Sequence, residues 1–128
     1  MFKGFHLIEI LIVLSIISIL TMLSVPLYSQ HLLQGGRLEA ETLLTKLALD
    51  MEEYHLEHGS YREATLAKLN FTVSQKYYRF AISQATESNF LLIATPLQQQ
   101  TSDICGTLSL NAIGEKSISG KGKLTDCW

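Results

Sequence analysis

Gly4-Phe5-His6-Leu7-Ile8-Glu9-Ile10-Leu11-Ile12-Val13 opens an apolar run that reaches Tyr28 with Glu9 as its only Asp, Glu, Lys or Arg. From Phe5 onward this is about 24 residues, or about 36 Å as a helix, enough to span a bilayer. Pro26 falls inside the run, where its missing N–H predicts a kink. On the other side stands only Met1-Phe2-Lys3-Gly4, and no small-x-small cleavage site follows the run, so the flanks are not those of an ordinary secretory signal. Lys3 on the short side predicts a cytoplasmic N-terminus, with everything after Tyr28 delivered outside.

Beyond the apolar run the helical period continues. Leu33, Arg37, Ala40, Leu44, Leu47, Met51 and Tyr54 recur at alternating spacings of four and three, giving one mostly apolar stripe with acids and polar residues opposite. Gly35-Gly36 is expected to loosen the junction. Gly59 has the character of a C′ residue, and His55 and His58 suit the last turn, so one helix is expected from Phe5 to His58. Past Ser60-Tyr61 the period changes to two. Tyr77 to Ile82, Asn89 to Thr95 and Thr107 to Ile113 read as strands, separated by polar turns at Ser83 to Ser88 and Gln98 to Ser102. The expected fold is α+β: a long N-terminal helix packed on a small antiparallel meander of three strands. Its segments are residues 1–4, 5–28, 29–59 and 60–128, read as leader, membrane helix, amphipathic helix and β head.

The chain has 128 residues, 47% of them hydrophobic, with that excess concentrated near the start. One anchor and one small head fit this length. The net charge of −2 leaves no general footprint for nucleic acid or anionic lipid. Its distribution is uneven: Glu39, Glu41, Asp50, Glu52, Glu53 and Glu57 outnumber Arg37 and Lys46 along the stalk, while the head is mildly basic. The only cysteines, Cys105 and Cys127, flank a Gly-, Ser- and Thr-rich segment, and there is no CxxC. In an exported head they are expected to form a disulfide that leaves Gly114 to Lys123 as an anchored outer loop; in a cytosolic protein they would be buried thiols.

The Gly4 to Val13 stretch resembles the cleavage and anchor motif of class III signal peptides, found in type IV pilins and type II secretion pseudopilins. The resemblance extends to Ala48-Leu49-Asp50-Met51-Glu52-Glu53-Tyr54 with Gly59-Ser60-Tyr61, similar to the helix end of PilE-like minor pilins, and to Cys105-Gly106-Thr107-Leu108-Ser109-Leu110-Asn111 with Asp126-Cys127-Trp128. It implies that a prepilin peptidase cuts after Gly4 and methylates Phe5. It further implies that Glu9 and Pro26 hold the family's anchor positions, and that Glu9 pairs with the Phe5 amine of a neighbouring subunit. The implied partners are other pilin subunits, the prepilin peptidase, the inner-membrane pilus assembly machinery and, before assembly, the membrane itself. The implied function is a structural minor pilin of a type IV pilus serving assembly and pilus-dependent motility or adhesion.

Independently of the motif, a carboxylate within a spanning helix costs about 2.5 to 3.5 kcal/mol near the bilayer centre, so Glu9 calls for a partner. Glu52, His55, Glu57 and His58 lack the second set of ligands that a di-iron centre needs and read as a solvated helix end; no metal or cofactor is expected. Nor is there a nucleophile elbow or phosphate loop, and the chain is not expected to be an enzyme. Lys121 and Lys123 between glycines, and Arg79 beside Tyr77 and Tyr78, are the residues a nucleic acid would contact, although they fall short of a dense basic stripe. A DNA- or surface-binding minor pilin and a type II secretion pseudopilin are the rival readings.

Overall fold

The computed structural model describes residues 4–128, so Met1 to Lys3 of the expected leader lie outside the described residues. The chain divides into two compact units, one ending at Leu32 and the other spanning Leu33–Trp128. Helix α1, Leu7–His58, contributes to both.

In the first unit α1 is apolar and its large side chains are exposed, including every Leu, Ile, Val and Met from Leu7 to Leu27. By length and composition it can cross a membrane. The hydroxyls that interrupt the run are satisfied by the helix itself: Ser15, Ser18 and Ser24 donate to the carbonyls of Leu11, Leu14 and Leu20 at 2.7, 2.7 and 2.6 Å, and Thr21 donates to that of Ile17. Such back-bonding removes the cost of an unpaired hydroxyl in an apolar medium. The helix continues through Pro26, and the Ser29 hydroxyl bonds the Pro26 carbonyl at 3.0 Å.

In the second unit the stripe on α1 is the floor of the core. Gly36, Ala40, Leu44, Leu47, Met51 and Tyr54 are buried, following the four-and-three spacing. The helix stops at Gly59, whose positive φ of 73° and N–H bond to the His55 carbonyl at 2.7 Å make the left-handed cap. Gly35-Gly36 does not loosen the helix. Gly36 is instead a point of close approach, because a Cβ there would lie 2.5 Å from Gln100 Oε1.

The sheet has four antiparallel strands in the order β1 (Tyr78–Ala85), β2 (Phe90–Pro96), β3 (Leu108–Asn111) and β4 (Lys116–Ile118). Tyr78, Phe80, Phe90, Leu92, Ala94, Leu108 and Leu110 point inward onto the helix stripe, at every second position. β1 runs three residues past its expected end, with a register shift between Ile82 and Gln84 that accommodates the polar Ser83. The Gln98–Ser102 turn is a short 3-10 helix.

β4 is a correction to the three-strand expectation. Lys116-Ser117-Ile118 has no alternation of apolar residues to announce it, and it forms because the turn at Gly114 (φ 80°) returns the chain against β3, pairing Lys116 with Leu110 and Ile118 with Leu108. A terminal turn, α2 (Leu124–Cys127), packs on it. The Trp128 indole N–H donates to the Ser117 carbonyl at 3.2 Å, and Lys116 Nζ lies 5.0 Å from the centre of the indole ring.

Cys105 and Cys127 are disulfide-bonded, with Cα atoms 5.7 Å apart. The segment expected as an anchored outer loop between Gly114 and Lys123 contains β4 and is held by backbone bonds as well as by the disulfide. Ser119, Gly120 and Gly122 donate backbone N–H bonds to Thr107, Cys105 and Ile104 at 3.0, 3.0 and 3.1 Å, and a Cβ on Gly120 would collide with the Ile104 carbonyl.

Candidate functional site

At the start of α1, His6 precedes the first helical residue and Glu9 is the third residue within it. The Glu9 carboxylate turns back to accept the His6 N–H at 3.4 Å, while its own N–H bonds the His6 carbonyl at 3.0 Å. This is the return half of a capping box, and it places a negative charge where the helix dipole favours one. Gly4, Phe5, His6 and Glu9 together line one open hollow, and Phe5 is 84% exposed. The three residues expected to matter for processing and assembly at this end, Gly4, Phe5 and Glu9, are therefore neighbours, whereas Pro26 sits five turns further along the helix.

A second cluster lies where the sheet and the C-terminal segment meet α1, within the Leu33–Trp128 unit, and its centre was not legible in the sequence. Gln100, 2% exposed, directs Nε2 at three acceptors: the Leu33 carbonyl (2.8 Å), the Tyr78 hydroxyl (3.1 Å) and Asp103 Oδ2 (3.2 Å). Asp103 Oδ1 accepts the Cys105 N–H at 3.1 Å, and Asp103 Oδ2 faces Arg37 Nε at 3.5 Å. Arg37 also donates to Cys105 Sγ and to the Asp126 carbonyl, the latter at 3.2 Å. No buried side-chain nitrogen or oxygen among the described residues is left without a partner. Burial pushes the Tyr78 hydroxyl up to about 12, with the Asp103 and Glu41 carboxylates adding to the effect and the Gln100 bond and Arg37 opposing it. Glu41, one turn beyond Arg37, is also raised, chiefly by burial, against the lowering pull of Arg37 and Lys116. The cluster ties the polypeptide around the disulfide to one turn of the helix. Nothing in Gln98-Gln99-Gln100 as a sequence distinguishes the glutamine that does so.

The basic residues do not converge. Arg79 is exposed on β1, and Lys121 and Lys123 are exposed after β4, so the two groups lie at opposite edges of the sheet. Tyr78 faces the core, and the aromatic neighbour of a cation is Tyr77, 5.0 Å from Lys76 Nζ. At the helix end, His58 stacks on Tyr54 and His55 on Tyr61, whose hydroxyl bonds Glu52 at 2.9 Å. Burial raises the Tyr61 hydroxyl, and Glu52 adds to the shift. Among the described residues no three His, Cys, Asp or Glu side chains are grouped to hold a metal.

The family model described as "Type IV minor pilin ComP, DNA uptake sequence receptor" matches residues 26–109. The chain belongs to the type IV minor pilin family. Fimbrial protein EcpC of Eikenella corrodens is 31% identical over 94 residues, covering 73% of this chain; the chain spans about three fifths (61%) of that relative. Among solved structures, the non-core minor pilin PilV of Neisseria meningitidis superposes with a TM-score of 0.61 at 26% identity, over 73% of this chain and 92% of that one. A type IV pilin of Shewanella oneidensis gives 0.58 at 29% identity, over 75% and 97%. The minor pilin fold explains the disulfide-closed head on a helix stripe, and minor pilins are structural subunits rather than enzymes.

Proposed function

We propose that this minor pilin is cut between Gly4 and Phe5 by a prepilin peptidase, methylated on Phe5, and built into a type IV pilus through residues 5–28, with the head beyond them exported. The observation that carries the reading is the exposed apolar surface of α1 from Leu7 to Leu27, set in the same helix that supplies the core of the disulfide-closed unit. Before assembly lipid covers that surface, with Lys3 keeping the N-terminus cytoplasmic; in the filament the equivalent helices of other pilin subunits cover it, delivered by the inner-membrane assembly machinery. Glu9 and the Phe5 amine of a neighbour are the polar pair in this contact, and Pro26 is the helix position that such packing tolerates in place of a hydrogen bond. Pilus-dependent motility or adhesion follows from membership in the filament. N-terminal sequencing of the protein from sheared surface filaments tests the reading: methylated Phe5 as the first residue supports it, and Gly4→Val accumulates uncut precursor. A mature protein that begins at Met1, or is absent from filaments, overturns it.

The similarity to the family of DNA uptake sequence receptors favours a second reading, that the exported head contacts DNA. Lys121 and Lys123 would act as one phosphate contact region and Arg79 as another. Binding should then weaken with salt, and Lys121→Ala with Lys123→Ala should reduce the slope of log K against log salt by about two. A slope unchanged by these substitutions removes them from the interface.

A further inference from the structure

The two sulfurs of the disulfide have unlike surroundings. Cys105 sits on the fixed side: its N–H is held by Asp103, Asp103 is held by Gln100, and the Arg37 guanidinium reaches both Asp103 and Cys105 Sγ. Cys127 belongs to the four-residue α2, which among the described residues is tied to α1 by one bond, from Arg37 to the Asp126 carbonyl, and no side chain donates to the Cys127 sulfur itself. We propose that Cys105 is the thiol through which the disulfide is installed. Arg37 holds it as the attacking thiolate toward a thiol–disulfide oxidoreductase carrying a CxxC disulfide, and Cys127 is the resolving thiol.

A guanidinium beside a cysteine stabilises its thiolate, the form that attacks disulfides. The charged groups bonded at Cys105 are Arg37 on α1, which contacts the sulfur, and Asp103 in the preceding turn, which accepts the Cys105 N–H and pairs with Arg37; Glu41, one turn on, acts on Arg37 from the same helix. In the closed form both sulfurs are buried. In this form the segment over Cys105 is fastened by the Gly120 and Gly122 N–H bonds to the Cys105 and Ile104 carbonyls, and the proposal requires that segment to stand away, together with Cys127, until the disulfide closes. Arg37, paired with Asp103, would then stay beside Cys105 and give up only its bond to the Asp126 carbonyl.

The electrons balance as an exchange. The Cys105 thiolate attacks one sulfur of the oxidoreductase disulfide, whose other sulfur leaves as a thiolate and takes up a proton. Cys127 then loses its proton and attacks the Cys105 sulfur, breaking the mixed disulfide and releasing the oxidoreductase as a dithiol. Two electrons have passed from the pilin thiols to the partner's disulfide.

The test uses the full chain, reduced and detergent-solubilised, as Cys127→Ser and Cys105→Ser variants whose alkylation by iodoacetamide is followed against pH. The midpoint for Cys105 should lie about one pH unit below that for Cys127, a roughly tenfold difference in thiolate at a given pH, and the difference should vanish in guanidinium chloride. Within the Cys127→Ser background, Arg37→Met should raise the midpoint, Arg37→Lys should restore it, and Asp103→Asn should lower it further. A merely structural role would move Arg37→Met and Asp103→Asn in the same direction. A CxxC oxidoreductase whose second cysteine is alanine should accumulate a mixed disulfide about tenfold faster with Cys127→Ser than with Cys105→Ser. Equal midpoints, a lower midpoint at Cys127, or preferential trapping of Cys127 overturns the proposal. The measurement is made on purified protein, so its failure would leave the filament reading intact.

Discussion

Substituting the two adjacent glycines of α1 separates helix propensity from close approach. A Cβ on Gly35 meets nothing within 4 Å, so Gly35→Ala should stabilise the head by about 0.5 to 1 kcal/mol through propensity alone. A Cβ on Gly36 displaces the Gln100 amide and with it the bonds to the Leu33 carbonyl, Tyr78 and Asp103. Each such bond is worth about 0.5 to 1.5 kcal/mol, and their loss outweighs the helix gain, so Gly36→Ala should be net destabilising by about 1 to 2 kcal/mol in urea unfolding. Tyr78 belongs to the same network and gives it a pH signature. Its hydroxyl keeps its proton up to about 12 in the folded head, whereas an unfolded tyrosine titrates near 10. Between those values the folded state binds more protons, so stability falls as pH rises through that window. Tyr78→Phe should flatten the fall by an amount on the order of 2 kcal/mol, leaving the smaller share due to Tyr61, which is raised in the same direction.

Among the elements, legibility followed periodicity. The α1 stripe was readable because its apolar residues recur with the helical period over six turns, and Gly59 was readable as a cap because its left-handed conformation has few alternatives. β1 to β3 announced themselves by alternation, with the end of β1 misplaced because the ladder resumes at the polar Gln84 after skipping Ser83. β4 was invisible, since Lys116-Ser117-Ile118 owes its conformation to pairing with β3 rather than to its own composition. The Arg37–Asp103–Gln100 cluster was hidden for a related reason: Arg37 lies more than sixty residues before the other two, and each has an ordinary surface identity. Arg37 in particular reads as one step of the stripe. The C-terminal loop supplies a direct check on this kind of non-local constraint. Gly120 packs backbone against the backbone of Ile104 and Cys105, where no side chain can yield, so Gly120→Ala should destabilise the head by about 1 to 3 kcal/mol. Gly114→Ala, with open space around it, should show only the milder strain of its positive φ.

At the scale of the molecule, the proposed processing makes the N-terminal charge pair a register pin for docking. Removing Gly4 creates an amine on Phe5, and burying that amine and the Glu9 carboxylate without partners is unfavourable. Within its own chain Glu9 already accepts the His6 N–H, which leaves carboxylate lone pairs for a second donor. Apolar contacts along the helix are similar in many registers, so on the proposed pairing a neighbour's amine at Glu9 would select one of them. Glu9→Gln should be inserted and cleaved normally yet incorporate poorly into filaments, measured beside wild type at equal membrane levels. Equal incorporation would reduce Glu9 to a helix cap. The tryptophan over β4 bears on a different hazard of assembly, the crowding of many identical sheets. An open strand edge invites its counterpart on the next copy, and repeated sheets then fuse into aggregates. With the Trp128 indole bonded to Ser117 and α2 packed on the same strand, that edge is shielded. In the proposed filament this shield would keep the β4 edge from pairing with a neighbouring copy. Because Trp128 is the chain's one tryptophan, its emission reports directly whether the shield is in place.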